Sequence, residues 1–339
     1  MVSIIKKFDD YEVINDHNLK KILTKFNNPK KIGYFSTYKP NYTRTETLLE
    51  LFNRNQVQVD KIIPGGGLIR YFKALFQLFQ QRNNFDVLVV AFRGHEILPF
   101  VRLIFRKKII YDSFISIYDT LCFDRCIFRP SSLIGKLLKW YDTFLCSISD
   151  FVLLDTKTHM NYFIKEFKVS KNKISYLYVG CNKKMFKPMK VKKDTNKFLV
   201  FWYGNVLPVQ GVDVILKTAK ALETEKNILF RLVGPIRKKY GKLIKELQLT
   251  NVEFIDYVPY EKLPQEIAKA DLCLGGHFSD LPKAKRVIAG KTFQFLAMNK
   301  KTIITNYEAN DELLILNPEK QLGLCSLVKV EYEKNCLNQ

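Results

Sequence analysis

The sequence predicts an α/β protein made of two doubly wound, Rossmann-like domains facing a cleft. Three observations predict it. Short runs rich in Val, Ile, Phe and Tyr alternate with longer amphipathic runs, the pattern of a parallel sheet covered by helices on both faces. The alternation stops at a charged stretch without periodicity, KKMFKPMKVKKDTNK (183–197), and then restarts. A chain of 339 residues, 47% of them hydrophobic, suffices for two cores of ordinary size. The expected organisation is a first domain over 1–183, a linker over 184–197 and a second domain over 198–339.

In the first half the expected strands are 32–36, VQVDKII (57–63), DVLVVAF (86–92), KKIIYD (107–112), DFVLLD (150–155) and KISYLYV (173–179). Helical spacing places helices between them over 43–55, 68–81, 96–106, 132–148 and 159–167. In the second half, strands are expected at FLVFWYG (198–204), ILFRLVG (228–234), VEFIDY (252–257), DLCLGG (271–276) and KTIIT (301–305). The matching helices are 211–222, 238–249, 262–270, 291–298 and 309–314. Ligands of such sheets bind outside the carboxyl ends of the strands, so the cleft is the expected site.

Lys and Arg number 55 against 33 Asp and Glu, a formal charge of +22 that calls for an anionic partner. The aromatics fall in strand and helix cores, and no RNP, zinc-finger or KH-type motif is present, which argues against nucleic acid. Seven scattered cysteines with no second close pair and no His at ligand spacing fit free thiols in a reducing, cytoplasmic compartment rather than zinc. The N-terminus lacks the apolar stretch of a signal peptide, and no uncharged apolar run is long enough to span a bilayer. LPFVRLIFRKK (98–108) and SLIGKLLKWYDTF (132–144) mix Phe, Trp and Leu with basic residues, a composition suited to lying on an anionic membrane surface.

Two turns of the second half are suited to phosphate. YGNVLPVQGVD (203–213) runs from a strand ending at Gly204 through Asn205 and Gln210 to a helix opening near Gly211. Small residues there let backbone N–H groups approach an anion at a helix N-terminus. KAKRVIAGKTFQFLAM (283–298) crowds Lys283, Lys285, Arg286 and Lys291 onto the front of an apolar helix, with Gln294 one turn on. A helix N-terminus already disfavours cations, so the expectation is that the four converge on a diphosphate. No DxD spacing occurs, so the cations would stand in for a metal; neither metal nor cofactor is expected.

The second half resembles the donor domain of GT-B glycosyltransferases, in particular retaining glycosyltransferase family 4. The likeness is carried by FWYGNVLPVQGVDVILKTAKAL, ILFRLVG, NVEFIDYVPYEKLPQEIAKADLCLGG and KAKRVIAGKTFQFLAMNKKTIITNYEANDELL, and in the first half by RGHEILP, KKIIYDSFISIYDT, LLDTKTHMNYF and YVGCNKKMFKP. It implies a metal-independent, retaining transfer of a sugar from a nucleotide-diphosphate sugar, UDP being the commonest, to a glycan or lipid-linked acceptor. The chain departs from the family pattern. Asn205 and Gln210 stand where the family commonly has cations, and Arg286 and Gln294 stand where it has two glutamates. A catalytically impaired homologue or assembly partner of such an enzyme, or another GT-B enzyme such as a sugar-nucleotide epimerase, is the alternative.

On the acceptor side, Asp112 ends the strand KKIIYD at the place where many relatives carry His, and His95 follows DVLVVAF. These two are the candidates for orienting the acceptor hydroxyl, with Asp119, Asp155 and His159 behind them. The family usually ends in one or two helices that cross back onto the first domain. Here no long amphipathic segment is expected after residue 314.

Overall fold

The computed structural model describes residues 1–8, 10–40, 42–65, 67, 69–316 and 323–337. Leu68, the first residue of one expected helix, and residues 317–322 and 338–339 of the expected second domain lie outside the described residues.

The chain opens with a strand that the sequence reading missed, β1 (Val2–Phe8). It does not join the sheet that follows it, but pairs antiparallel far downstream, with Val2 opposite Thr305. Residues 10–180 then form one unit, and residues 1–9 with 181–339 form another. This corrects the expected first domain of 1–183: its first nine residues belong to the second unit's sheet.

The unit of residues 10–180 contains α1 (Tyr11–Lys25), β2 (Ile32–Phe35), α2 (Thr43–Arg54), β3 (Val59–Ile62), α3 (Ile69–Gln81), β4 (Val87–Val90), α4 (Leu98–Ile104) and β5 (Lys108–Asp112), then α5 (Leu133–Ile148), β6 (Phe151–Leu154), α6 (Lys157–Glu166) and β7 (Ile174–Tyr176). Its six strands lie in the order β3-β2-β4-β5-β6-β7, all parallel. Strand alternation sorts the core into two layers. Val87 and Val89 of β4 pack with Leu19, Leu48 and Phe52 from α1 and α2. Leu88 and Val90 pack with Ala74, Leu78, Leu98, Val101 and Leu145 from α3, α4 and α5. Helix starts are capped by side chains: Ser132 Oγ accepts from Gly135 N at 3.1 Å, and Thr156 Oγ1 from His159 N at 3.0 Å.

The other unit adds to β1 the elements β8 (Phe198–Tyr203), α7 (Val212–Ala221), β9 (Ile228–Val233), α8 (Ile236–Leu247), β10 (Val252–Ile255), α9 (Leu263–Lys269) and β11 (Leu272–Leu274). After these come α10 (Gly290–Ala297), β12 (Thr302–Thr305), α11 (Glu308–Asp311), β13 (Leu314–Leu316) and α12 (Leu324–Leu337). The strand order is β10-β9-β8-β11-β12-β1-β13. Successive strands β8, β9 and β10 step one way and β11 is laid on the opposite side of β8, so the winding reverses between β8 and β11. That reversal is where open α/β sheets leave a crevice.

One further expectation is corrected. The stretch read as a free linker is tied down on the second unit: Asp194 bonds Arg231 and Lys269, Lys193 bonds Asp271 at 2.6 Å, and Phe186 is fully buried. A helix that the sequence reading did not assign, α12, follows: it buries Leu324, Leu327 and Val328 against α7 and β1, but its apolar and polar residues are not segregated, so no long amphipathic segment is present among the described residues after 314.

Candidate functional site

A cavity of about 340 Å³ opens at the carboxyl ends of β8, β9, β10 and β11. Its walls include Gly204, Asn205 and Gln210 after β8, Gly234 and Pro235 after β9, and Ala289, Gly290 and Lys291 at the start of α10. The chain reaches this geometry only because two positions are glycine. Gly211 has φ +63°, and an added Cβ would stand 2.5 Å from the backbone carbon of Phe278. Gly234 has φ +143°, and a Cβ there would meet the Gly204 carbonyl oxygen at 2.3 Å. Both loops therefore depend on the absence of a side chain. Phe278 N donates to Gln210 O at 3.2 Å and Ser279 Oγ to Val209 O at 2.9 Å, which ties the loop after β8 to the loop after β11 across the winding reversal.

Lys291 is the chemical centre of this cavity. It stands on the first turn of α10, whose N-cap residue, Ala289, offers no side-chain hydrogen bond, so the helix's leading N–H groups are left uncapped. Its side chain is buried, at 6% exposure. The ammonium donates to Gln210 Oε1 at 2.7 Å and lies 4.2 Å from the centre of the Trp202 ring. No carboxylate lies within ion-pairing distance of it among the described residues. Burial alone drives its pKa well below the ordinary lysine value. A buried lysine held by an amide and an indole face, at a helix start without a side-chain cap, gives a setting in which an anion would be favourable.

The other predicted donor-side residues are distributed unevenly. Gly204, Asn205 and Gln210 line the cavity as expected, while Gly211 supports it from beneath. Gln294 is buried one turn behind Lys291; its Nε2 donates to Tyr260 Oη at 3.3 Å and its Oε1 has no partner. Lys283, Lys285 and Arg286 are not in the cavity lining, so the expected convergence of four cations reduces there to Lys291. The reason is local. Residues 283–286 curl into a turn closed by Arg286 N donating to Lys283 O at 3.1 Å, and the Lys285 ammonium lies 5.8 Å from the Tyr307 ring. Sequence reasoning missed Trp202, Gly234, His277 and Tyr257. Gly234–Pro235 directly after a predicted strand was the available signal for one of them.

In the unit of residues 10–180, Asp112 does end β5, but it does not face solvent. Its Oδ1 accepts from Arg44 Nη2 at 2.9 Å and its Oδ2 from Arg44 Nε at 3.3 Å, with both side chains fully enclosed. Arg44 Nη2 also donates to Leu154 O at 3.1 Å, and Nη1 to Leu177 O. Burial raises the Asp112 carboxyl above its ordinary value, against the pull of Arg44. Asp112 thus clamps α2 to β5, β6 and the end of β7, and the expectation that it meets an acceptor hydroxyl is corrected on that ground. His95 lies in the short 3-10 turn Gly94–Glu96 beyond β4, partly accessible, with Nε2 3.9 Å from Glu96 Oε1. Burial holds its imidazole below the ordinary value, against the pull of Glu96. Glu96 is itself engaged by Arg93 and by Tyr71 Oη at 2.5 Å. His159 and Asp155 form a buried pair, Nδ1 to Oδ1 2.6 Å, and Asp119 is buried in the π-helical turn 119–124.

Residues 183–275 match the sequence model of the family "Glycosyl transferases group 1". A chitobiosyldiphosphodolichol beta-mannosyltransferase of Candida albicans is 25% identical over 203 residues, 53% of this chain and 43% of that protein. The match thus spans less than half the length of that relative. Among solved structures, Anabaena HepE in complex with UDP-glucose superposes with a TM-score of 0.63 at 12% identity, covering 91% of this chain and 90% of that one. Sucrose-phosphate synthase from Thermosynechococcus elongatus gives 0.63 at 12% identity, covering 84% and 83%. The fold is therefore that of the GT-B glycosyltransferases, with a glycosyl transferases group 1 segment on the unit that carries the Lys291 cavity.

Proposed function

We propose that this protein is a glycosyltransferase that takes a sugar from a nucleotide-diphosphate sugar, most simply a UDP-sugar, and that the Lys291 cavity receives the diphosphate. One observation carries the reading: Lys291 is a buried ammonium with an amide and an aromatic ring as neighbours and no anion, at the uncapped start of α10. A diphosphate would supply the missing charge and accept from the free N–H groups. The same contacts strengthen as the glycosidic bond breaks and charge accumulates on the leaving diphosphate. A preorganised donor of this kind contributes on the order of 3 kcal/mol to catalysis. Val258 and Leu263 give the cavity an apolar side, and the exposed ring of Tyr257 at its rim suits the face of a nucleobase.

The proposed transfer is metal-independent, with Lys291 and the α10 N–H groups neutralising the leaving group. The proposed acceptor is a glycan or a lipid-linked sugar, in keeping with the diphosphodolichol-linked acceptor in the Candida relative's name, and His95 is its proposed positioning residue. Seven free cysteines accord with a reducing, cytoplasmic setting. We retain the retaining stereochemistry as the proposal. It makes a specific prediction, because a beta-mannosyl product from an α-linked donor requires inversion. The anomeric configuration of the product, read by NMR, decides between them.

The test is thermal stability of the purified chain with nucleoside diphosphates and nucleotide-sugars, in chelator. One nucleotide class should raise the midpoint, and the shift should vanish in Lys291→Met. No shift with any nucleotide in a folded sample would overturn the reading. In His95→Ala the shift should persist while turnover falls about 10²-fold; unchanged turnover would remove His95 from the proposal.

A further inference from the structure

The helices α3, α4 and α5 cover one face of the first unit's sheet, side by side in that order. Their inner residues account for the core layer already described. Their outer residues do not behave like a solvated surface. On α3, Ile69, Phe72, Phe76 and Phe79 are 52–77% exposed, and their spacing of three and four aligns them along one edge of the helix. Phe100 and Leu103 continue the row on α4 at 57% and 64%. Leu133, Leu137 and Trp140 complete it on α5 at 60–85%, and the Trp140 ring stacks on Phe144 at 5.6 Å. An apolar surface that runs across three neighbouring helices exceeds what scattered surface residues produce and marks a docking face.

The charge around this face identifies the occupant. Residues 69–85, 97–109 and 125–141 contain three, four and four Lys and Arg and no Asp or Glu. Several of these cations are exposed, among them Lys73, Arg106, Arg129 and Lys136. A second copy of the chain would bring the same positive rim against this one and be repelled. An anionic bilayer matches both parts: the aromatic and aliphatic row enters the headgroup–acyl boundary, and the rim meets the phosphates. Trp140 has the amphipathic ring favoured at that depth. Among the described residues no helix is long and apolar enough to cross a membrane, so the contact is a surface one.

We infer that the α3–α4–α5 face seats this protein on an anionic lipid bilayer. The inference stands apart from the donor-site reading, since no residue of the Lys291 cavity enters it. Its test exploits the fact that the chain has two Trp, of which Trp202 is buried and Trp140 is not. The full chain is mixed with vesicles of phosphatidylcholine alone or with about one third phosphatidylglycerol. The expected result is flotation with the anionic vesicles only, weakened by salt, with a blue shift and bromolipid quenching of Trp140. The signal should be absent in Trp140→Phe. Phe72→Ser with Phe76→Ser, both at exposed positions, should lower partitioning by about tenfold or more. Lys73→Glu with Lys136→Glu should remove the preference for anionic lipid. Binding without quenching, or binding that survives the Phe substitutions, would overturn the inference. So would lipid-free self-association that the Phe substitutions abolish, which would make the face a protein interface instead.

Discussion

Arg44 and Lys291 are both buried cations, and the two sites differ in a single respect. Arg44 has its anion inside the chain: Asp112 takes two of its N–H groups, and the carbonyls of Leu154 and Leu177 take others. Among the described residues Lys291 has Gln210 and the Trp202 ring and no carboxylate. A buried charge that serves the fold comes with its counter-charge, because an unpaired one opposes folding. A buried charge left without one stores unfavourable desolvation that a ligand can relieve. The comparison separates a clamp from a socket.

Three measurements would break or sharpen that contrast. The largest effect is expected from Asp112→Ala, which strands Arg44 and should destabilise the unit of residues 10–180 by about 3–5 kcal/mol. Nucleotide affinity in the folded fraction should be unchanged. Chemical denaturation followed by titration of the folded protein checks both, and a mild loss would mean that Arg44 finds other partners. Lys291→Met should act in the opposite direction on stability. Removing an unpaired buried ammonium in favour of an apolar chain of similar length should raise the ligand-free midpoint by the equivalent of roughly 1–3 kcal/mol. A lower midpoint would show that Lys291 is structural.

The third effect is on pH. The Lys291 pKa is depressed in the ligand-free fold, so the unfolded chain binds the proton more tightly. Stability from this group therefore rises with pH between the folded value and the ordinary 10.5, and is lowest below the folded value. A diphosphate favours the charged form and reverses the shift. Donor affinity should then fall as pH rises through the folded value, with net proton uptake on binding wherever the free amine is partly neutral. Calorimetry in buffers of different ionisation heat would register the uptake in the native chain and its loss in Lys291→Met.

The residues that line the Lys291 cavity were largely legible because their determinants are local. A strand ending in glycine with a short loop, and a lysine at the front of an apolar helix, are each read from a short local stretch, and the apolar runs of β8 and β11 mark them as buried strands. What failed was non-local. Asp112 looked free because its partner lies 68 positions earlier, on a helix whose sequence, TRTETLLELFNR, carries two arginines and nothing to mark Arg44 as the buried one. Lys283, Lys285 and Arg286 looked convergent with Lys291 because adjacency in sequence was taken for adjacency in space, and a turn intervenes. α12 was missed because its apolar and polar residues are spread around the helix and leave no periodic signal.

The placement of β1 has a consequence for synthesis. The strand is made before residues 10–180, yet its partners, β12 and β13, are made after them. Residues 10–180 can complete their own parallel sheet from segments already made, while β1 waits as an unpaired strand of seven residues with two open edges. The sheet that carries the Lys291 cavity therefore closes only after β13 has been made. A fragment beginning at residue 181 would lack the strand between β12 and β13, leaving a gap inside the sheet for another chain to fill.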